Sequence, residues 1–321
     1  MIKRTLYFGN PAYLSLSQKQ LSVRLPEIQK NKNLPDSFKK EAVANIPIED
    51  IGIVLLDHQQ ITITQGLLSA LLENNTVVVA CDSTHHPTGL LFPLSGNSVQ
   101  NERYRAQLIA SEPLKKQLWA QTIAQKIKNQ QSHFQDLDLN NNLLKQLAQN
   151  VKSGDTNNNE ATAAAYYWQN IFKAKKFSIT NSGINLPFFR RRDGDPPNAL
   201  FNYGYAILRA VMARSVVSAG LLPTLGIHHS NRYNAFCLAD DLMEPYRPYV
   251  DRVVCNLICS HGISETLTKE QKTILLSIPA IDVVIDKENS PLMVATQRTA
   301  VSLVKCFEGT QKKLAYPDWN S

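Results

Sequence analysis

Two adjacent histidines, His228 and His229, stand a short loop upstream of two carboxylates, Asp241 and Glu244, in the stretch GLLPTLGIHHSNRYNAFCLADDLMEPYRP that opens at Gly220. Imidazole and carboxylate are the usual protein ligands for divalent ions of hard to intermediate character. Neighbouring side chains diverge on most backbones, so the two histidines are not expected to share one ion. Asp241 and Glu244 are three apart, which sets both on one face of a helix. Asp240 is turned about 100° away and reads as an N-cap or a surface charge. The plain alternative is a solvated helix face. The flanking Leu242, Met243, Pro245 and Tyr246 favour a less exposed setting, where clustered carboxylates need a compensating cation.

Two further regions carry candidate chemistry. In SGDTNNNEATAAAYYWQNIF, Asp155, Thr156 and an Asn triplet are capping types ahead of an alanine-rich helix. Glu160 falls in its first turn, where the helix dipole favours negative charge, and reads equally as a capping or a catalytic carboxylate. In FFRRRDGDPPNALFNYGYAILRA, Arg190, Arg191 and Arg192 are consecutive in a turn-rich stretch. Guanidinium forks clamp phosphates well, and Lys173, Lys175 and Lys176 extend the basic field; a solvated charge run is the other reading. Such contacts supply affinity and salt dependence but little base discrimination. Asn198, Asn202 and Tyr203 open a long helix, where they either touch substrate or organise the arginine loop, while Tyr203 and Tyr205 read more plainly as buried.

These residues need a scaffold, and the composition bounds it. The chain has 321 residues, 43% of them hydrophobic and 19% charged, enough for one large and one small folded domain. The formal net charge of +7 points to an anionic partner, nucleic acid first and a membrane surface behind it. Five irregularly spaced cysteines make no disulfide framework, which suits a cytoplasmic protein. Cys255 and Cys259, with His261 after them, lack the spacing and fourth ligand of a zinc site and read as core in the run VVCNLIC. No apolar leader opens the chain and no run approaches the ~18 residues of a membrane span, so no membrane partner is expected.

The elements fall in two textures. TLYF, YLSLSQKQLSVRL, GIVLL, ITIT and TVVVA are short and β-branched or alternating, with one helix over about 65–72. A parallel α/β unit is the alternative, without a glycine-rich phosphate loop to support it. From Val99 the periodicity is helical, broken near Pro113, and Arg103, Arg105, Lys115, Lys116, Lys126 and Lys128 give it positive, solvated faces. The expected fold class is therefore α+β in two domains: β-rich over 1–82, a linker over 83–98, α-helical over 99–308, and a loosely ordered tail over 309–321.

Taken together, NNNEATAAAYYW around Glu160, FRRRDGDPPNALFNYGYAILRA from Phe189, and GLLPTLGIHH with LADDLMEPYRPYVD from Gly220 resemble the universal CRISPR-associated integrase family, the endonuclease subunit that captures new spacers. The likeness runs over nearly the whole chain, and the forms HHSNRYN and DLMEPYRP resemble its type II branch. The resemblance implies a small N-terminal β domain and a larger all-α catalytic domain. It implies a homodimer joined by a second, small adaptation subunit. Double-stranded DNA is the substrate, as protospacer and as CRISPR repeat or leader, and the type II effector nuclease is a further partner.

It also implies one site per protomer for Mg²⁺ or Mn²⁺. The family's glutamate falls on Glu160, its histidine on His229 and its later acid on Glu244, with Asp241 an accompanying acid or alternate ligand. His228 orients His229 or touches DNA; Asn231 and Arg232 join Arg190–Arg192, Lys173 and Lys176 as DNA contacts. The reaction implied is attack of a 3′-hydroxyl on a repeat-boundary phosphodiester, with hydrolysis as a side reaction. Two other readings use the same residues: a metal-dependent repair nuclease, and a non-enzymatic DNA-binding scaffold.

Overall fold

The computed structural model describes residues 3–31, 35, 42–179, 184, 187–191, 196–264 and 266–319, so Arg192, Asp193 and Asp195 lie outside the described residues. The chain divides into two compact units, 1–98 and 99–321, the first β-rich and the second helical, as the α+β expectation requires.

In the first unit, strands β1 (Arg4–Phe8), β5 (Ile51–Leu56), β7 (Val77–Cys81) and β8 (Pro87–Leu91) form one sheet in that order. The β1–β5 and β5–β7 pairs are parallel and β7–β8 is antiparallel. β5 reads as a continuous apolar run because both its faces are covered, and Ile51, Ile53, Val54 and Leu55 are fully buried. A second sheet has the order β4 (Ala44–Pro47), β3 (Gln20–Arg24), β2 (Ala12–Ser17), β6 (Ile61–Ile63). The β2–β3 hairpin turns on Gln18 and Lys19, both at positive φ, the geometry that matches strand twist in a two-residue turn. Helix α1 (Pro26–Lys30) follows β3. Helix α2 (Gln65–Glu73), capped by Thr64, sets Leu67 and Leu71 into the core with Leu14, Leu21 and Val78. The stretch 83–98 is not a plain linker, because Pro87–Leu91 is the edge strand β8. Its turn residues hid a strand of five residues.

The second unit runs α3 (Gln100–Ile109), α4 (Glu112–Asp136), α5 (Asn142–Gln149), α6 (Asn159–Asn170), α7 (Lys175–Ile179), α8 (Asn198–Ser218), α9 (Cys237–Met243), α10 (Arg247–His261), α11 (Lys269–Leu275) and α12 (Leu292–Phe307). A hairpin, β9 (Asp282–Ile285) and β10 (Glu288–Pro291), precedes α12. Two helices organise the rest. α8 is buried on nearly all sides, and Gly204 lets α10 approach: a Cβ there would meet Val250 Cγ1 at 2.7 Å. α4 buries the stripe Trp119, Ile123, Lys126, Ile127, Gln130 and Phe134. Cys255 is buried in α10, in line with its core reading, while Cys259, also read as core, is half-buried.

Through Trp319 the tail is ordered rather than loose. Tyr316 hydroxyl lies 2.8 Å from Thr122 Oγ1, and Asn129 Nδ2 donates to Pro317 O at 3.1 Å. Trp319 packs on Tyr249 and donates from Nε1 to Asp136 Oδ2 at 2.9 Å. A tail rich in polar residues reads as loose, but its few aromatics find partners on α4 and α10.

Candidate active site

Glu160 is set by the turn ahead of its helix. Gly154, Asp155 and Asn158 take positive φ, folding the chain tightly before α6. Asp155 then caps α6, accepting from Asn159 N at 3.0 Å and Glu160 N at 2.9 Å. This satisfies two backbone donors that a helix start leaves open.

The two histidines diverge, as adjacency requires, their ring planes 84° apart. His228 lies flat on Trp119 of α4, centroids 4.2 Å apart and planes within 3°. His229 turns instead to Asp241, whose Oδ1 is 2.5 Å from Nδ1. Asp241 also accepts from His228 N at 2.9 Å and His229 N at 3.3 Å, and is 0% exposed. Its hydrogen bond to the ring raises the His229 pKa above the ordinary value, while burial lowers that of His228. Asp241 is thus engaged behind His229, with both oxygens committed. Asp240 departs from its surface reading too. It is buried, binds the Arg209 guanidinium of α8 at 2.6 and 2.9 Å, and accepts from Asn234 Nδ2 at 2.7 Å. α9 therefore ties down both ends of the histidine loop.

Glu244 begins a single 3-10 turn after α9, held by Asn129 Nδ2 donating to Pro245 O at 2.7 Å. Arg247 Nε lies 2.8 Å from its Oε1 and Lys126 Nζ 2.6 Å from its Oε2. Burial alone would push the Glu244 carboxyl up, but Arg247 and Lys126 outweigh it and hold the pKa below the ordinary range. Lys126 Nζ is also 2.6 Å from Glu160 Oε1. Lys126 is 7% exposed, not part of a solvated positive face. Burial favours loss of its proton, and Glu244 with Glu160 more than compensates, raising the pKa.

Glu160, His229, Glu244, Arg190 and Asn231 line one cavity of about 680 Å³. A second hollow of about 320 Å³ shares Glu160, Glu244, Arg190 and Arg247 and adds Lys126, Arg191 and Trp168. Arg190 is half-buried, with its guanidinium over Trp168, Phe201 and Tyr205. It donates to Asn198 Oδ1 at 3.1 Å and Asn202 Oδ1 at 2.7 Å, so these asparagines organise the arginine loop. Beneath them Asp251 accepts from Tyr205 at 2.5 Å and Tyr167 at 3.0 Å, and burial pushes its carboxyl up to about 7. Arg191, Asn231, Arg232 and Lys173 are exposed; Lys176 is half-buried over Phe177.

Among the described residues no group of three or more His, Cys, Asp or Glu side chains closes around a point where an ion would sit. Glu160 and Glu244 converge on the Lys126 ammonium instead. The donor set still fits a divalent ion. Glu244 is a buried carboxylate held in its ionised form, and its Oε2 meets a cation, the Lys126 ammonium, at 2.6 Å. His229 has Nδ1 committed to a carboxylate, which leaves Nε2 to ligate, as metal-binding histidines usually are held.

Lys126, Arg247, Trp119, Arg209 and Asp251 escaped the reading of the sequence as site residues. For Lys126 a signal existed: it shares the helical stripe of Trp119, Ile123, Ile127 and Gln130, the inward face. Arg247 stands three residues after Glu244, the spacing of an ion pair on one helix face.

Comparison with known proteins supplies the class. Residues 7–288 match the family described as CRISPR associated protein Cas1. Over 304 residues the chain is 35% identical to CRISPR-associated endonuclease Cas1 of Neisseria meningitidis serogroup C (strain 8013), spanning 94% of this chain and 91% of that protein. By fold it is similar to a casposase bound to integration product, with TM-score 0.74 and 19% identity over 98% of this chain and 92% of that one. It is likewise similar to a chain of a Cas6-RT-Cas1–Cas2 complex, with TM-score 0.70 and 20% identity over 97% of this chain and 35% of that one. The chain belongs to the CRISPR-associated Cas1 family. No helix among the described residues is long and apolar enough to cross a membrane.

Proposed function

We propose that this protein is a divalent-metal-dependent DNA endonuclease and integrase that inserts captured DNA fragments into a CRISPR array, and that it is of the type II branch. One observation carries the reading: Glu160, His229 and Glu244, drawn from three separate stretches of chain, line a single cavity walled by Arg190 and Arg247. The name of the meningococcal relative supports nuclease chemistry, and the casposase and Cas1–Cas2 likenesses support the fold that would carry it.

Glu160, His229 and Glu244 would hold Mg²⁺ or Mn²⁺, which when bound supplies charge stabilisation at a phosphoryl oxygen and acidifies an attacking hydroxyl. The chain's own residues do the rest. Asp241 keeps His229 in one tautomer and orientation. Arg247, paired with Glu244, favours its ionised form. Arg190, Arg191, Arg192, Lys173, Lys176, Asn231 and Arg232 contact the phosphate backbone. The 3′-oxygen of the incoming strand bonds to a phosphorus at the repeat boundary, and the bond from that phosphorus to its former 3′-oxygen breaks. One phosphodiester replaces another, so no external energy source is needed, and water in place of the hydroxyl gives plain cleavage. The working form is a homodimer with a small adaptation subunit, and the effector nuclease of a type II system is a further partner.

Incubation with the small subunit, a protospacer duplex and a supercoiled repeat-bearing plasmid tests the reading. Strand-transfer product is expected, lost in Glu160→Ala, His229→Ala and Glu244→Ala with DNA binding retained. General cleavage without strand transfer points to a repair nuclease, and full activity in all three variants to a scaffold; either result overturns the proposal.

A further inference from the structure

The Lys126 ammonium touches both carboxylates that the metal-dependent reading assigns as ligands, and this inference rests on that reading. Nζ is 2.6 Å from Glu160 Oε1 and 2.6 Å from Glu244 Oε2. The two carboxylates come from the first turn of α6 and the turn after α9, and Lys126 from the middle of α4. One cation thus joins three elements, in the place between the carboxylates where an ion bound by both would lie. An ion ligated by both oxygens at about 2.0–2.1 Å would take the position between them that the ammonium now holds.

Charge balance makes the same point. Glu160 and Glu244 already have two cationic partners, Lys126 and Arg247. A divalent ion added between the same carboxylates would stand at close range to the ammonium, a repulsion that is costly unless the ammonium moves or an anion arrives. The hollow of about 320 Å³ that Lys126 lines, with Arg190, Arg191 and Trp168, lies beside the ammonium. Lys126, Arg190, Arg191 and Arg247 outnumber Glu160, Glu244 and Asp251 around it, and with both glutamates on a metal it suits a phosphate.

We infer that Lys126 is a tethered cation exchanged for the divalent ion. In the metal-free protein it holds Glu160 and Glu244 in place. Metal loading releases its ammonium into the adjoining hollow, where it binds a DNA phosphate. Metal and DNA therefore bind cooperatively, and by linkage each tightens the other by the same factor.

The test uses the full chain and reads binding rather than turnover. Mn²⁺ affinity is measured by titration calorimetry and by the electron paramagnetic resonance of free Mn²⁺, and duplex affinity by fluorescence anisotropy with and without Mn²⁺. In Lys126→Met, Mn²⁺ binding without DNA is expected to tighten about tenfold, and the strengthening of duplex binding by Mn²⁺ to disappear. Lys126→Arg, which keeps a cation, should stay within about threefold of wild type on the same scale. A merely structural lysine would weaken metal binding when removed, so Mn²⁺ affinity unchanged or reduced in Lys126→Met overturns the exchange. If the Met variant does not fold, Lys126→Gln carries the same comparison. Wild-type protein that binds no Mn²⁺ overturns the metal reading and this inference with it; a wild type that binds Mn²⁺ no more weakly than the neutral variants overturns the exchange alone.

Discussion

Asp241 accepts hydrogen bonds from the ring and from two consecutive backbone N–H groups of the His228–His229 pair while fully buried. A carboxylate so committed orients the His229 ring. Asp241→Asn keeps the volume but offers one acceptor where two were used, so His229 loses its fixed tautomer. Mn²⁺ affinity is expected to fall about 10–100-fold by calorimetry, and an unchanged affinity would return Asp241 to a passive role. Asp251 bears on pH rather than metal. Its carboxyl is pushed up to about 7 by burial, against the opposing hydrogen bonds of Tyr205 and Tyr167. The folded state therefore holds this proton more tightly than the unfolded chain. Its stabilising contribution is complete below about pH 4 and is lost as pH rises through about 7. Relative to Asp251→Asn, wild type should lose on the order of 3–4 kcal/mol between those limits, read from urea midpoints. Parallel pH profiles would refute it.

At the scale of elements, the loop between α8 and α9 is the precise part of the site. Gly226 shows how tightly it is drawn. A Cβ there would fall on the His229 carbonyl oxygen and 2.6 Å from Asp241 Oδ2. Gly226→Ala must therefore shift the loop while leaving the helices alone. The far-ultraviolet circular dichroism should be unchanged and Mn²⁺ affinity should drop by about tenfold or more. Retained affinity would mean that the loop adapts without moving His229. The loop rests on Trp119, which is 2% exposed and carries His228 as a stacked partner. The capping residues before Glu160 were legible because Asp and Asn at a helix start have a local job. The pairing of Asp240 with Arg209 was not, because nothing in the sequence brings α8 beside α9.

Across the helical unit, the tail closes the back of α4. Leu314 N donates to Gln121 Oε1 at 2.9 Å, Tyr316 reaches Thr122, and Trp319 lies against His133, Tyr249 and Arg252. α4 also carries Trp119 and Lys126 on its other contacts, so loosening it reaches the site. A chain ending after Lys313 is expected to lose on the order of 3 kcal/mol in urea unfolding, with weaker Mn²⁺ binding as a secondary effect. A midpoint equal to that of the full chain would make the tail an ornament of the fold.

The two textures, the order of most strands and helices, and the residue types able to hold a divalent ion were all legible along the chain. Those follow from local periodicity and side-chain chemistry, which neighbours a few residues apart express. That Lys126 faces the carboxylates instead of solvent, that Asp241 serves His229, and that the tail is packed emerged from the folded molecule. Each of these depends on which surfaces meet across distant segments, and a buried charge looks like an exposed one until its counter-ion is in place.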